Sequence, residues 1–357
     1  MKGLVLAGGS GTRLRPLTHT GPKQLIPIAN KPVLFYGLED LKEAGIDDVG
    51  IVLGLNMPER IKEAVGDGSV LGIRTTYIEQ GMPKGLAHAV LISEEFMEGE
   101  SFVMYLGDNI LRAGVKDLVE GFEASDHDAR ILLAKVKNPQ RFGVAELDKR
   151  GRVVGLEEKP KKPKSDLALV GVYLFKKPIF GAVKAIKPSW RNELEITDAI
   201  QRLIDNGYRV DSHIVNGWWK DTGKPEDILD ANRLVLDDLK SYNKGVVEEG
   251  VEIHGRVAIG EGTVIKEGSV LKGPSIIGKK CTIGPESYVG AYTSIGDNTF
   301  LEETEIEDSI VIGDAKIKTR VKIVESLIGR ESKIISEEKT LPRGWKLIIG
   351  EHSDLRL

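Results

Sequence analysis

Apolar and polar positions fall into two textures along this chain. Over the first 135 residues or so, short apolar runs alternate with stretches whose apolar residues recur at helical spacing. Gly3–Leu6, Val49–Leu53, Thr75–Ile78 and Phe102–Leu106 predict strands, and Pro32–Ala44, Pro58–Val65 and Gly85–Ser93 predict helices. This alternation predicts an α/β domain with a mostly parallel, Rossmann-like sheet covered by helices on both faces. From Ala129 to Val215 the strand-like runs Ile131–Val136, Val144–Leu147, Val153–Glu157 and Leu169–Phe175 lie closer together, which predicts an added mixed or antiparallel portion. Lys224–Leu239 reads as an amphipathic helix, with a polar linker at Lys240–Lys244.

The second texture has a period of six. Ile253, Ile259, Ile265, Leu271, Ile277, Ile283, Val289, Ile295 and Leu301 recur without a slip until Glu307 breaks the register, and Val311 resumes it irregularly. Neither an amphipathic helix nor a hairpin sheet repeats this way. A hexapeptide left-handed β-helix does, with each aliphatic residue pointing to the axis and three hexads closing a coil. The tail predicts roughly five or six coils, ending in a strand or cap at Trp345–Ile349. The expected domains are 1–240 and 241–357.

Composition narrows the classes. Fifty basic and 54 acidic residues give a net charge of −4, which argues against a general nucleic-acid binder and against attraction to anionic membranes. No apolar run approaches about 18 residues, and the N-terminus lacks a signal-peptide layout. The single Cys281 leaves no internal disulfide framework. A cytoplasmic protein is expected.

The candidate chemistry begins where the first strand ends. Gly3-Leu4-Val5-Leu6-Ala7 runs into Gly8-Gly9-Ser10-Gly11-Thr12-Arg13, with Arg15, Lys23 and Gln24 close behind. Glycine N–H groups and fixed cations make a phosphate cradle. Leu14 stands where a dinucleotide fingerprint needs its third glycine, and no Gly-Lys-Ser/Thr follows, so neither familiar cradle fits. A guanidinium at Arg13 suits the charge of a departing pyrophosphate, and Lys23 would reach a triphosphate or an attacking phosphate. Asp108 ends the Phe102–Gly107 run, and Asp221 follows Trp218-Trp219-Lys220. Two carboxylates beside a phosphate cradle read as a magnesium pair, although aspartate also ends strands as a turn residue.

These segments closely resemble the sugar-nucleotidyltransferases, more specifically the glucose-1-phosphate thymidylyltransferases. Gly85-Leu86-Ala87, Leu106-Gly107-Asp108-Asn109, Leu156-Glu157-Glu158-Lys159-Pro160, Glu193-Leu194-Glu195-Ile196-Thr197-Asp198 and Trp219-Lys220-Asp221-Thr222-Gly223 follow the loop in the family's order across roughly the first 230 residues. The resemblance implies a nucleotidyltransferase domain that joins dTTP and glucose-1-phosphate into dTDP-glucose and pyrophosphate. The attack on the α-phosphate would be in line and magnesium-dependent. It implies catalytic roles for Arg13, Lys23, Asp108 and Lys159, with Asp108 and Asp221 as metal ligands. Nucleotide contacts are implied at Leu6, Ala7, Gly8, Gly9, Gly11, Thr12, Arg13 and Gln24, with Gln80 and Gly85 reading the base. Gly143, Glu158, Lys159, Val170, Arg191 and Glu193 are implied on the sugar-phosphate side. Glu193 reads equally as part of an acidic first turn of a helix over Ile196–Ile204.

Lys84, His88 and Phe142 stand where short members carry aspartate, glutamine and tyrosine, and the tail matches a long type. UTP use remains open, because both bases offer the same pairing edge. A broader sugar-phosphate range is a further alternative. The tail predicts homo-oligomer formation. Its rival role, acetyl transfer, is disfavoured because the tail offers only His254 and His352 as bases. A non-catalytic regulatory subunit is the remotest reading, since all four catalytic-type residues Arg13, Lys23, Asp108 and Asp221 are present.

Overall fold

The computed structural model describes residues 1–336 and 352–354. The expected terminal strand at Trp345–Ile349 lies outside them. The chain forms two compact units: Met1–Ser10, Gly21–Leu25 and Val33–Asp221 make the first, and Gly11–Thr20, Ile26–Pro32 and the chain from Thr222 onward make the second.

In the first unit β1 (Lys2–Ala7) is buried along its whole length. It pairs in parallel with β4 (Asp48–Gly54) and with β6 (Phe102–Leu106), and β5 (Arg74–Gly81) extends the parallel half. Alternation along β1 shows why the strand is apolar throughout. Leu4 and Leu6 enter one core with α3 (Leu86–Ile92), α4 (Glu94–Met97), α6 (Pro178–Ala185) and α7 (Ile196–Asp205). Val5 and Ala7 enter another with α1 (Val33–Glu43), α2 (Pro58–Val65) and α5 (Lys116–Glu123). A strand sandwiched between helices has no face to spare for polar residues.

The mixed half joins through β11 (Leu167–Phe175), antiparallel to β6, to β8 (Ala129–Lys135) and to β9 (Gly143–Leu147). Strand β10 (Val153–Glu158) lies antiparallel to β9 at the edge. The predicted strands and helices are present, each within a few residues. Elements not foreseen include α4, α5, α6 and β12 (Val210–Ile214), the last pairing in parallel with β8. A small ladder, β7 (Asn109–Leu111) with β13 (Trp219–Asp221), completes the unit.

In the second unit three parallel sheets of six, six and five short strands stack as a β-helix. Ile259 pairs with Ile277 and Ile265 with Ile283, one coil apart. The expected break at Glu307 is instead a tightening of the coil. Val289 pairs with Ile306 and Ile295 with Val311, so Ile306 is the inward residue and Glu307 its neighbour on Glu305–Glu307. Inward positions from Ile259 to Leu301 are buried, whereas Ile253 is 42% exposed. It sits on the first strand of its sheet, which no preceding coil covers. The segment expected as a linker holds a strand as well: Tyr242–Asn243 pairs with Ala258 and Ile259.

Helix α8 (Pro225–Asp237) falls in this second unit, although the sequence groups it with the residues before 240. Arg233 explains the attachment, with its Nε and Nη2 on the Asp308 carboxylate and its Nη1 on Asp230. Cys281 occupies a buried coil corner, where loss of solvent pushes its thiol up to about 11. It stays protonated near neutrality.

Ile283→Ala should cost about 2–5 kcal/mol, because the side chain is fully buried between coils. Ile253→Ala should cost under about 1 kcal/mol. Urea unfolding followed by circular dichroism compares them, and equal losses would contradict this coil register.

Candidate active site

Register places the first pieces of the site. Leu6 of β1 is level with Leu106 of β6, and the Gly107 N–H donates to the Leu6 carbonyl at 3.0 Å. The glycine loop and Asp108 therefore leave neighbouring strands side by side, beyond the carboxyl ends where ligands bind in such sheets. Gly8 backs directly onto the Gly54 backbone, so that a β-carbon on Gly54 would lie 2.3 Å from the Gly8 carbonyl oxygen. Gly9 faces Lys23: a β-carbon there would stand 2.8 Å from Lys23 Cε. Gln24, also expected at the nucleotide, is buried beside them, and its Oε1 has no hydrogen-bond partner among the described residues.

The Lys23 ammonium is ion-paired with the Asp108 carboxylate. Asp108 is only 8% exposed. Burial alone would push its carboxyl up. The Lys23 charge, the Lys23 hydrogen bond and a hydrogen bond from Asn109 Nδ2 at 3.0 Å outweigh burial and hold it below the usual carboxylate range. Asn109 is itself fixed by Trp219 Nε1, which donates to its Oδ1 at 2.6 Å. Strand β13 lies antiparallel to β7 with Asp221 opposite Asn109, which brings the second expected carboxylate to the Asp108 end of the ladder. Two carboxylates and an amide oxygen are hard oxygen donors of the kind magnesium takes, with phosphate oxygens and water completing its shell. Among the described residues no group of three or more His, Cys, Asp or Glu forms a metal cage.

The base-reading pair also meets. Gln80 Nε2 donates to the Gly85 carbonyl at 3.2 Å and lies 3.4 Å from His88 Nδ1. Burial, with the Lys84 charge, pushes the His88 imidazole down, favouring its neutral form. Gly85 has φ 98°, and a β-carbon would fall 2.4 Å from the Leu194 carbonyl oxygen, so no other residue fits without moving backbone. Leu194 ties this segment to the residues expected on the sugar side: its N–H donates to the Lys84 carbonyl at 2.8 Å and its carbonyl accepts from Ala87 N–H at 3.0 Å.

On that side Glu158, Lys159, Arg191 and Glu193 form one charged cluster. Lys159 Nζ is 3.3 Å from Glu158, and Arg191 reaches Glu158 at 3.5 Å, Glu193 at 3.0 Å and Glu195 at 3.3 Å. Burial pushes the Glu158 carboxyl up, the cations Lys159 and Arg191 pull against that, and Glu195 adds to it. Gly143 lies against Thr197 and Glu158, and Val170 is buried in β11. Phe142 meets the Trp219 ring edge-on at 5.6 Å, linking this side to the Asp221 strand.

Gly11, Thr12 and Arg13 are placed differently. They belong to the second compact unit, where Thr12–Leu14 forms one short turn with Arg13 exposed. Arg15 is exposed as well. Sequence reasoning missed Glu195, which is buried, accepts from Ser189 Oγ at 2.8 Å and holds Arg191. The signal was available: an acid four residues past an arginine, at a helix entrance. Asn109 was also passed over, because its role as a bridge depends on a strand that comes 110 residues later.

Comparison with known proteins gives one result throughout. Residues 2–238 match the Nucleotidyl transferase family. The low-salt glycan biosynthesis nucleotidyltransferase Agl11 of Haloferax volcanii is 54% identical over all of both chains. A glucose-1-phosphate thymidylyltransferase of Streptomyces antibioticus is 52% identical over 100% of this chain and 99% of its own. A solved Bacillus anthracis structure, proposed there to be a glucose-1-phosphate thymidylyltransferase, is 36% identical with a TM-score of 0.63, covering 68% of this chain and 98% of that one. The family match over residues 2–238 and these relatives over the whole chain make the chain an enzyme of the nucleotidyl transferase family.

Proposed function

We propose that this enzyme joins dTTP and glucose-1-phosphate into dTDP-glucose with release of pyrophosphate. The observation that carries the reading is the Lys23–Asp108 pair at the mouth of the glycine loop, within the same unit as the Glu158–Lys159–Arg191 cluster. Thymidylyltransferase relatives at about half identity over the whole chain support the choice of substrates.

Two polyanions must meet, so the protein's task is charge neutralisation and alignment. The Gly8–Gly9 backbone and Lys23 receive the triphosphate, and Gln80 offers its amide to the base edge. Lys159 and Arg191 hold the sugar phosphate, while Glu158 accepts from sugar hydroxyls. An oxygen of that phosphate attacks the α-phosphorus, the bond to the bridging oxygen breaks opposite, and pyrophosphate departs with the electron pair. A role for Arg13 against the departing charge is what the family resemblance implies. Asp108 and Asp221 would hold magnesium, which when bound supplies positive charge to the triphosphate. A cytoplasmic location and a homo-oligomeric state complete the proposal, the latter open to sedimentation analysis.

Pyrophosphate release with glucose-1-phosphate and Mg²⁺, using dTTP and UTP in parallel, tests the reading. A clear dTTP preference is expected. Equal rates would widen the nucleotide assignment, and silence with both would remove the substrate pair. Asp108→Asn should lower kcat by about 10²-fold or more while the fold survives. A variant that unfolds would make the residue structural. Lys159→Ala should raise KM for the sugar phosphate by about 10–100-fold, the loss of one charge-assisted bond, with KM for dTTP little changed. Equal effects on both constants would contradict its assignment.

A further inference from the structure

Gln80 lies at the carboxyl end of β5, and its side chain reaches both the glycine loop and the first turn of α3. A β-carbon on Gly8 would stand 2.9 Å from Gln80 Oε1. The amide nitrogen faces the other way, donating to the Gly85 carbonyl at 3.2 Å and lying 3.4 Å from His88 Nδ1. Gly8, Gln80, Gly85 and His88 all belong to the first unit.

A primary amide carries two hydrogens and one oxygen acceptor. Turned over, the Gln80 amide would set its oxygen against the Gly85 carbonyl, acceptor against acceptor, so that carbonyl fixes which end is nitrogen. One hydrogen goes to Gly85. The second has the imidazole in front of it. Burial and the Lys84 charge hold His88 toward its neutral form, and a neutral ring that meets a donor through Nδ1 keeps its proton on Nε2. Nδ1 is then an acceptor. Both amide hydrogens are engaged inside the protein, and no hydrogen bond among the described residues reaches Oε1.

We propose that His88 is a positioning residue for nucleotide selection: by taking the second Gln80 amide hydrogen, it leaves Gln80 an acceptor alone, which selects a base with a ring N–H at its pairing edge. This rests on the function proposed above, in which Gln80 meets the base. Thymine and uracil both carry that ring N–H. Cytosine carries a lone pair in its place, and two acceptors left facing each other are unpaired and repel. Without His88 the spare amide hydrogen is free to turn to that lone pair, and rejection of cytosine weakens.

The test compares pyrophosphate release from glucose-1-phosphate with dTTP and with dCTP in the full-length wild type, His88→Leu and His88→Asn. Leucine removes the acceptor, and asparagine returns one through its Oδ1. The wild type should favour dTTP in kcat/KM by about 100-fold or more. His88→Leu should cut that ratio about 3–10-fold, the effect of one hydrogen bond, with KM for glucose-1-phosphate unchanged. His88→Asn should recover most of it. An unchanged ratio in folded His88→Leu would overturn the proposal, as would an asparagine variant no more selective than the leucine one. A wild type that used dCTP as readily as dTTP would overturn it without any variant. The chain has four glutamines, so ¹⁵N labelling of their side chains gives four amide pairs in the substrate-free protein, and the Gln80 pair is the one lost in Gln80→Glu. One proton of that pair should exchange with water faster in His88→Leu than in the wild type or His88→Asn. Equal exchange in all three would also overturn the proposal. A wild type silent with both nucleotides would instead sink the proposed function, and the amide exchange would still decide whether His88 holds Gln80.

Discussion

A carboxylate buried at the end of a strand must be given a cation, and that requirement at Asp108 organises the first unit. The group is ionised in spite of its burial because Lys23 faces it and Asn109 donates to it. An unpaired charge in such a place would cost several kcal/mol. Several neighbouring contacts fit the pair at the loop. Gly8 and Gly54 let two backbones touch, Gly9 leaves room for the Lys23 stem, and Trp219 locks the amide that steadies the carboxylate. In the function proposed above the same pair would receive the triphosphate: a lysine already aimed at an oxygen anion needs little reorganisation to meet a phosphate, which is how preorganised charge contributes to phosphoryl transfer.

The sugar side solves a different electrostatic problem. Lys159 and Arg191 have three carboxylates for company, Glu158, Glu193 and Glu195, so the cations are held in position before any anion arrives. Glu195 is buried and Glu158 largely so, with burial pushing the Glu158 carboxyl up. In the function proposed above, an incoming phosphate would compete with these carboxylates for Arg191, and a sugar hydroxyl would take up a carboxylate oxygen released by that exchange. Selectivity would then come from satisfying the whole cluster at once. A ligand with phosphate but no matching hydroxyls would leave buried acceptors without donors, a costly outcome.

How much of this could be read from the sequence depends on range. The buried strand before the glycine loop was legible because Leu4, Val5 and Leu6 serve two cores through alternation alone. The β-helix was legible because its period is local, and the same locality misled at both ends of the repeat. Ile253 keeps the hexad rhythm but lacks a coil to cover it, and Ile306 leaves the rhythm yet points inward. Helices α5 and α6 are short and were hidden beside apolar strands, and β12 pairs with a strand some 80 residues earlier. In the site, residues carrying charge were visible one by one. What escaped was Glu195, whose meaning lies in holding Arg191, and Asn109, whose meaning lies in meeting Trp219. The attachment of α8 rests on Arg233 finding Asp308, a contact no local pattern encodes.

Within the second unit, polar groups hold the turn at Ala29 and Asn30, between β2 (Pro27–Ile28) and β3 (Lys31–Pro32). An apolar contact could bury as much surface there, but it would tolerate sliding, since dispersion and hydrophobic attraction are not directional. Asn232 does not tolerate it. Its amide meets a backbone N–H, a backbone carbonyl and a hydroxyl from two different stretches, and a shift of about one ångström breaks several bonds at once. A fully satisfied buried network therefore favours one arrangement over near neighbours, even where its net contribution to stability is modest.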